Sequence, residues 1–363
     1  DAGRSGSINH YLLEVSYDKT WLTGYVLPQS TTTNGWYQLP CTKVGCDFTT
    51  CLDTLIALAD PDVDFSGYSK VIVVYPNYPC YAYAINFIVE TDEGHVDLRF
   101  AFITNGSQGL YPSASVAIHE FGHQLGLGHA NAWDCGSRSV DDICNSIPYG
   151  DIFDVMGNPY YKGHFNLLHK ERLGWLSPND IAVFPVGVLS AVFTIGPLEV
   201  VGAFPRGVTV ALPLPSLSVY SVEYRTPVGY DEIYSLQSYT KHVFDGALIH
   251  METSPQATET QLIDATPTSD DALLDFGDPV LRTGEFIEDE QNGITIGTVC
   301  LTDEFLRVCM AWGDALDCMH ALYDVDTDGD VDLLDWATFQ NTFGVSSVQR
   351  FDVNCDQLID LID

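Results

Sequence analysis

The 363 residues carry 50 acidic and 15 basic side chains, a formal charge of −35 at pH 7 that repels nucleic acid and anionic lipid. Hydrophobic residues make up 46% and charged residues 18%, which excludes a disordered or fibrous chain, and no apolar run is long enough for membrane insertion. Ten cysteines without paired C-x-x-C knuckles favour disulfides over a zinc cluster, and hence a secreted protein in an oxidising, extracellular compartment.

The length allows two or three domains. The first residues, Asp1 to Ser7, are small and polar and lack the apolar core of a signal peptide, so the chain is expected to begin after processing. Strand-like runs at 11–15, 71–75, 84–89 and 96–102 predict a sheet. Between them, Leu52, Leu55, Ile56 and Ala59 recur at helical spacing over 48–59, and Asp60-Pro61 ends that helix. Cys41, Cys46, Cys51 and Cys80 fall in this region, with three pairings open among them.

Pro112 and Ser113 precede an apolar run that starts a helix, and on it stands His119-Glu120-Phe121-Gly122-His123-Gln124-Leu125-Gly126-Leu127-Gly128-His129. His119 and His123, four residues apart, project from one helical face and can reach a single zinc ion. Gly126 permits the positive φ that ends the helix, so His129 can return as third ligand while the fourth position stays open for water. Glu120, beside the first histidine, stands where a general base would take a proton from that water. Histidines merely satisfied on a helix are the competing reading.

These residues match the extended signature H-E-x-x-H-x-x-G-x-x-H, and the chain resembles the metzincin zinc metallopeptidases, most closely their gametolysin-like branch. Asp154-Val155-Met156-Gly157 follows in the order of that family's methionine turn, which implies that Met156 lies beneath the zinc histidines. The resemblance implies an α/β catalytic domain over 1–177 that hydrolyses protein or peptide substrates. In it zinc polarises the scissile carbonyl, a water attacks under the control of Glu120, and Glu120 passes the proton to the leaving amine. Tyr160 and Tyr161, just past Met156, are candidates for supporting the oxyanion.

Cys135 and Cys144 can staple the loop between His129 and the turn. A helix is predicted over 165–175, and His164 and His169 there read as hydrogen-bonded structural histidines. From 178 to 312 short alternating runs at 208–212, 218–224, 247–251 and 294–299 predict an antiparallel β-sandwich accessory domain, with Cys300 and Cys309 flanking a hairpin.

In the tail, 313–363, Asp324, Asp326, Asp328, Asp330 and Asp335 fall at calcium-loop positions one, three, five, seven and twelve, with Gly329 at six. A helix over 334–343 follows, and a second loop offers Asp352, Asn354, Asp356 and Asp363 as calcium ligands. The pair resembles a dockerin, a small α-helical calcium module that binds a cohesin-like scaffold partner. Gln357 replaces the second loop's glycine, and the second repeat is incomplete at Asp363. Cys318 and Cys355 are expected to close this module. The sequence therefore reads as a multidomain, secreted zinc endopeptidase with a calcium-binding tail. The alternative is a non-catalytic adhesive or scaffold-docking protein with a structural zinc site.

Overall fold

In the computed structural model, residues 7–24, 26–27, 36–39, 51–75, 81–104, 114–213, 218–236, 238, 240–254, 256–268, 276–314, 318, 323, 331 and 333–342 are described. They fall into two units, one of residues 1–14 and 18–127, the other of 15–17 and 128–363.

The first unit is built on strands β1 (Lys70–Tyr75), β2 (Tyr83–Thr91) and β3 (Gly94–Thr104), in the order β1-β3-β2. β1 runs parallel to β3, while β2 joins β3 antiparallel through a tight turn at Gly94. Side chains alternate across a strand, so β3 serves two cores at once. Leu98, Phe100 and Phe102 pack with Leu52, Ile56 and Ala59 of helix α2 (Leu52–Ala59). Ala101 and Ile103 face the other way, against Ala117 of helix α3 (Ala114–Leu125). The sheet is thus a layer between two helices, each of which buries an apolar stripe.

One predicted strand is absent. Residues 11–15 belong to helix α1 (Ile8–Val15), with Tyr11, Leu12 and Val15 buried. The spacing of Tyr11 and Val15 by four suits one helical face, and five residues were too few to separate that from alternation.

The second unit holds two sheets. The larger has the order β5-β4-β11-β10-β9-β8-β6, from β4 (Ala130–Asp134), β5 (Asn145–Ile147), β6 (Ala182–Val183), β8 (Gly207–Ala211), β9 (Val219–Tyr224), β10 (Gly246–Glu252) and β11 (Thr260–Ile263). β12 (Leu281–Arg282) pairs with β10 beside that path. The smaller is antiparallel, in the order β13-β14-β15-β7, from β7 (Ser190–Ile195), β13 (Phe286–Asp289), β14 (Ile294–Leu301) and β15 (Leu306–Trp312). Val208, Val222, Ile249 and Ile263 of the first sheet meet Ile195, Ile287, Ile296, Val308 and Met310 of the second in one core. A sandwich core is present, but its larger sheet is mixed, because β4 runs parallel to β11 and β6 parallel to β8.

The pairing of β4 with β11 joins residues on the two sides of 177/178 in one sheet. Residues 128–177 supply β4 and β5 to the sheet of the expected accessory domain, and main-chain pairing across 130 residues of sequence leaves no local trace. Helix α4 (Leu167–Arg172) is shorter than predicted, and its N-cap Asn166 accepts a hydrogen bond from the His169 amide.

Cys135 is disulfide-bonded to Cys144, as expected. Cys318 is not available to Cys355, because it pairs with Cys309. Val308 and Met310 of β15 point into the sandwich, so Cys309 points out, and there it packs beside Ala311 and Cys318. Cys51 and Cys300 are also in disulfides. In the tail, helix Leu333–Thr342 is described, with Asp335 buried and Leu333, Leu334 and Trp336 exposed. The other calcium candidates, Asp324, Asp326, Asp328, Asp330, Asp352, Asn354, Asp356 and Asp363, lie outside the described residues.

Candidate metal centre

Helix α3 carries His119, Glu120 and His123, and its seating is set by Gln124. The Gln124 Nε2 donates to the carbonyls of Arg99 (2.8 Å) and Val71 (3.2 Å), while the Arg99 guanidinium donates back to the Gln124 carbonyl. The one-turn spacing of His119 and His123 brings their rings edge to face, with centroids 4.9 Å apart. His119 is buried and His123 half-buried. The Nδ1 of His123 lies 2.9 Å from the Leu127 carbonyl; as a donor there, it leaves Nε2 as the lone-pair nitrogen for a ligand.

The helix stops at Gly126, whose φ of +99° suits a residue without Cβ. Its amide donates to the His123 carbonyl (2.9 Å) and the next amide to that of Gly122 (3.1 Å), which satisfies carbonyls the ended helix would orphan. Three residues after Gly126, His129 immediately precedes β4. The ligand nitrogens of His119, His123 and His129 all lie within 4.8 Å of one another, and this group can hold a metal ion. It is the one such cluster of histidine, cysteine and carboxylate groups among the described residues.

Glu120 is buried, and burial pushes its carboxyl up to about 8. Its Oε2 has no hydrogen-bond partner among the described residues. An orphaned carboxylate oxygen in an apolar setting costs free energy on the order of 1–3 kcal/mol or more unless something polar meets it. Three imidazole nitrogens within 4.8 Å of one another, with an unpaired carboxyl oxygen on the residue that follows His119, are a donor set that suits a divalent cation and a water.

Met156 is fully buried, in a turn built by aspartates. The Oδ1 of Asp154 accepts from the Met156 amide (2.6 Å), and its carbonyl accepts from that of Gly157 (2.9 Å). The other oxygen of Asp154 accepts from the Asn166 amide (2.7 Å) and His169 Nδ1 (2.8 Å). Burial alone would raise the Asp154 carboxyl, but His169 and the two amides outweigh it and hold it below the usual carboxylate range. Asp151 starts the turn by accepting from the Phe153 amide (2.8 Å), and His250 Nε2 lies 3.0 Å from its other oxygen. Burial disfavours the His250 cation, yet Glu223 and Asp151 hold its pKa above the ordinary imidazole value.

His164 and His169 are fully buried and hydrogen-bonded to neighbours, His164 through its amide to Asp231 and through Nδ1 to Lys170. Tyr160 is exposed, and Tyr161 packs against the Tyr234 ring. The tyrosine that touches the triad is Tyr149, which the sequence did not single out. Its ring centroid lies 4.1 Å from that of His129, and its φ of +59° is a conformation that non-glycine residues seldom adopt. A positive φ at a tyrosine has no sequence signature, so only the fold reveals it.

No family model matches the chain, and no curated protein matches it.

Proposed function

We propose that the chain is a secreted zinc-dependent endopeptidase, with His119, His123 and His129 as the zinc ligands and Glu120 as general base and then acid. The observation that carries this reading is the group of three imidazole nitrogens within 4.8 Å of one another, with Glu120, the residue after His119, buried and its Oε2 without a hydrogen-bond partner among the described residues. A bound zinc ion would supply Lewis acidity, polarising the scissile carbonyl and easing deprotonation of a water. Glu120 takes that proton on Oε2 and delivers it to the amine nitrogen as the C–N bond breaks.

An extended peptide is a fitting substrate. β2 ends the first unit's sheet, and no described strand pairs with its outer side; such an edge offers main-chain donors and acceptors to an added strand. The disulfides Cys135–Cys144 and Cys309–Cys318 are in keeping with an extracellular setting. No helix among the described residues is long and apolar enough to cross a membrane.

Proteolysis of casein by the full chain should be abolished by a zinc chelator and restored by zinc. Glu120→Gln should lower the rate by roughly 10²–10⁴-fold, the usual worth of a general base, while bound zinc measured by atomic absorption stays at wild-type stoichiometry. Chelator-insensitive cleavage, or full activity in Glu120→Gln, overturns the mechanism; zinc binding without any cleavage favours the structural-zinc adhesive.

The tail extends the reading to a calcium module that docks the enzyme on a cohesin-like scaffold, on the ligand spacing from Asp324 to Asp335. Calorimetric titration of the full chain with calcium should show a binding event that Asp328→Ala removes. Identical heats in the two proteins would discard the assignment of calcium to this loop.

A further inference from the structure

His129 differs from the other two histidines in how it is held. His119 and His123 ride on a helix, whereas His129 sits at the mouth of β4, and its main chain is gripped from both sides. The His129 carbonyl accepts from the Thr260 amide (3.0 Å), and the next amide, that of Ala130, donates to the Met156 carbonyl (3.2 Å). Each of these bonds leads to the same buried group. From Met156 the path runs through its own amide to Asp154 Oδ1 (2.6 Å), and Asp154 Oδ2 receives the Asn166 amide (2.7 Å). From Thr260 it runs through Oγ1, which accepts from Asn166 Nδ2 (2.8 Å). The hydrogen bonds therefore close a ring: His129 and Ala130, Met156, Asp154, Asn166, Thr260 and back to His129.

His169 locks the ring at its far side. Its amide donates to Asn166 Oδ1 (2.9 Å) and its Nδ1 lies 2.8 Å from Asp154 Oδ2, so both Asn166 polar atoms and both Asp154 oxygens are engaged. Asp154, Met156, Asn166, His169 and Thr260 are all fully buried. Buried polar groups satisfied in this way tolerate little displacement, because moving any member orphans two others in a low-dielectric interior. A main-chain shift of about 1 Å at a ligand is enough to spoil a site.

We infer that Asp154, Asn166 and Thr260 are positioning residues for the metal centre: through this ring they fix the main chain of His129 and thereby set how well the third imidazole ligates. The inference rests on the reading of the histidine triad as a metal site. Asp154 also explains why a charged residue occupies the turn: a carboxylate accepts on both oxygens without needing to donate, which an asparagine at that place cannot do.

Cobalt(II) titration of the metal-free full chain tests this, because the visible d–d bands report ligand number and geometry independently of turnover. Thr260→Val keeps the shape of the side chain and removes Oγ1. It should weaken cobalt binding about 10–100-fold, as loss of an outer hydrogen bond at a metal site does, and should shift the bands. Thr260→Ser, which keeps the oxygen, should restore both. Asp154→Asn should show the same defect or a larger one; if it fails to fold by circular dichroism, the Thr260 pair still decides the matter. His129→Ala sets the limit, and the positioning variants should fall between it and wild type. A folded Thr260→Val with wild-type affinity and spectrum overturns the positioning role and leaves the metal site standing. A wild-type chain that binds neither cobalt nor zinc overturns the metal reading itself, and the inference with it.

Discussion

At Gly157 a Cβ would lie 1.8 Å from the Asp151 carbonyl oxygen and 2.7 Å from that of Ala130. Both obstacles are main chain, and the Asp151 carbonyl already accepts from the Asn158 amide (3.0 Å), so neither can swing aside. Gly157→Ala should therefore cost at least the ~1–3 kcal/mol typical of overpacking, read as a fall in the urea midpoint. Any affinity of the histidine triad for a metal ion should fall with it, since Ala130 adjoins His129. An unchanged midpoint would mean that the turn is less tightly closed than its contacts imply. The glycine of the turn was visible in the sequence, though its reason was not. The same holds for the triad: spacings of four and six residues are local geometry, and a helix with a glycine stop converts them directly into proximity. Tyr149 lies twenty residues beyond His129, across a disulfide-closed loop, and no periodicity connects them.

Elements were legible where one side of a strand or helix decided its burial. The runs at 71–75, 84–89 and 96–102 became β1, β2 and β3 because aromatic and branched side chains are concentrated there, and α3 followed from its apolar stripe. Strands β9 and β10 show the limit of that logic. Tyr220, Val222 and Tyr224, and then Ala247, Ile249 and Met251, fill the sandwich core, as alternation suggests. The polar residues between them, Ser221, Glu223 and His250, read as solvent-facing but are fully buried. Residues of 151–170 meet that face: the Leu167 amide donates to Glu223 (2.6 Å), and Asp151 meets His250. Alternation reports the period of a strand and not what covers its polar side. Glu223 within β9 and His250 within β10 were the available hint, because such residues enter a core only with partners.

Across the whole molecule, the pairing of β4 with β11 and the partner of Cys318 depend on contacts that leave no local pattern, which is why neither was readable. The same long-range folding gathers charge under the large sheet. Arg225 is fully buried between Glu223 (2.7 Å) and Asp231 (2.6 Å), and Lys170, pulled down to about 7 by burial and by Arg225, donates to Tyr17 and meets His164. Glu199 is pushed up by burial and by Asp231 alongside. Burial opposes ionisation of Asp231, but Arg225 and His164 outweigh it and hold the carboxyl at about 2, below its ordinary 3.8. A carboxylate depressed in the folded state binds fewer protons there than in the unfolded chain, so its stabilisation is complete above about pH 4 and lost as pH falls towards 2. A depression of that size corresponds to a contribution on the order of 2 kcal/mol. Acid also neutralises a chain of formal charge −35, which relieves self-repulsion and works the other way. Comparison with Asp231→Asn separates the two, because the general charge relief is common to both proteins. The variant should be markedly less stable at about pH 6, where it leaves Arg225 one partner short, and the gap in urea-unfolding free energy should narrow steadily between about pH 4 and pH 2.5. A gap that stays constant over that range would show that Asp231 does not titrate with folding, and that the acid limit of this protein is set by its surface carboxylates instead.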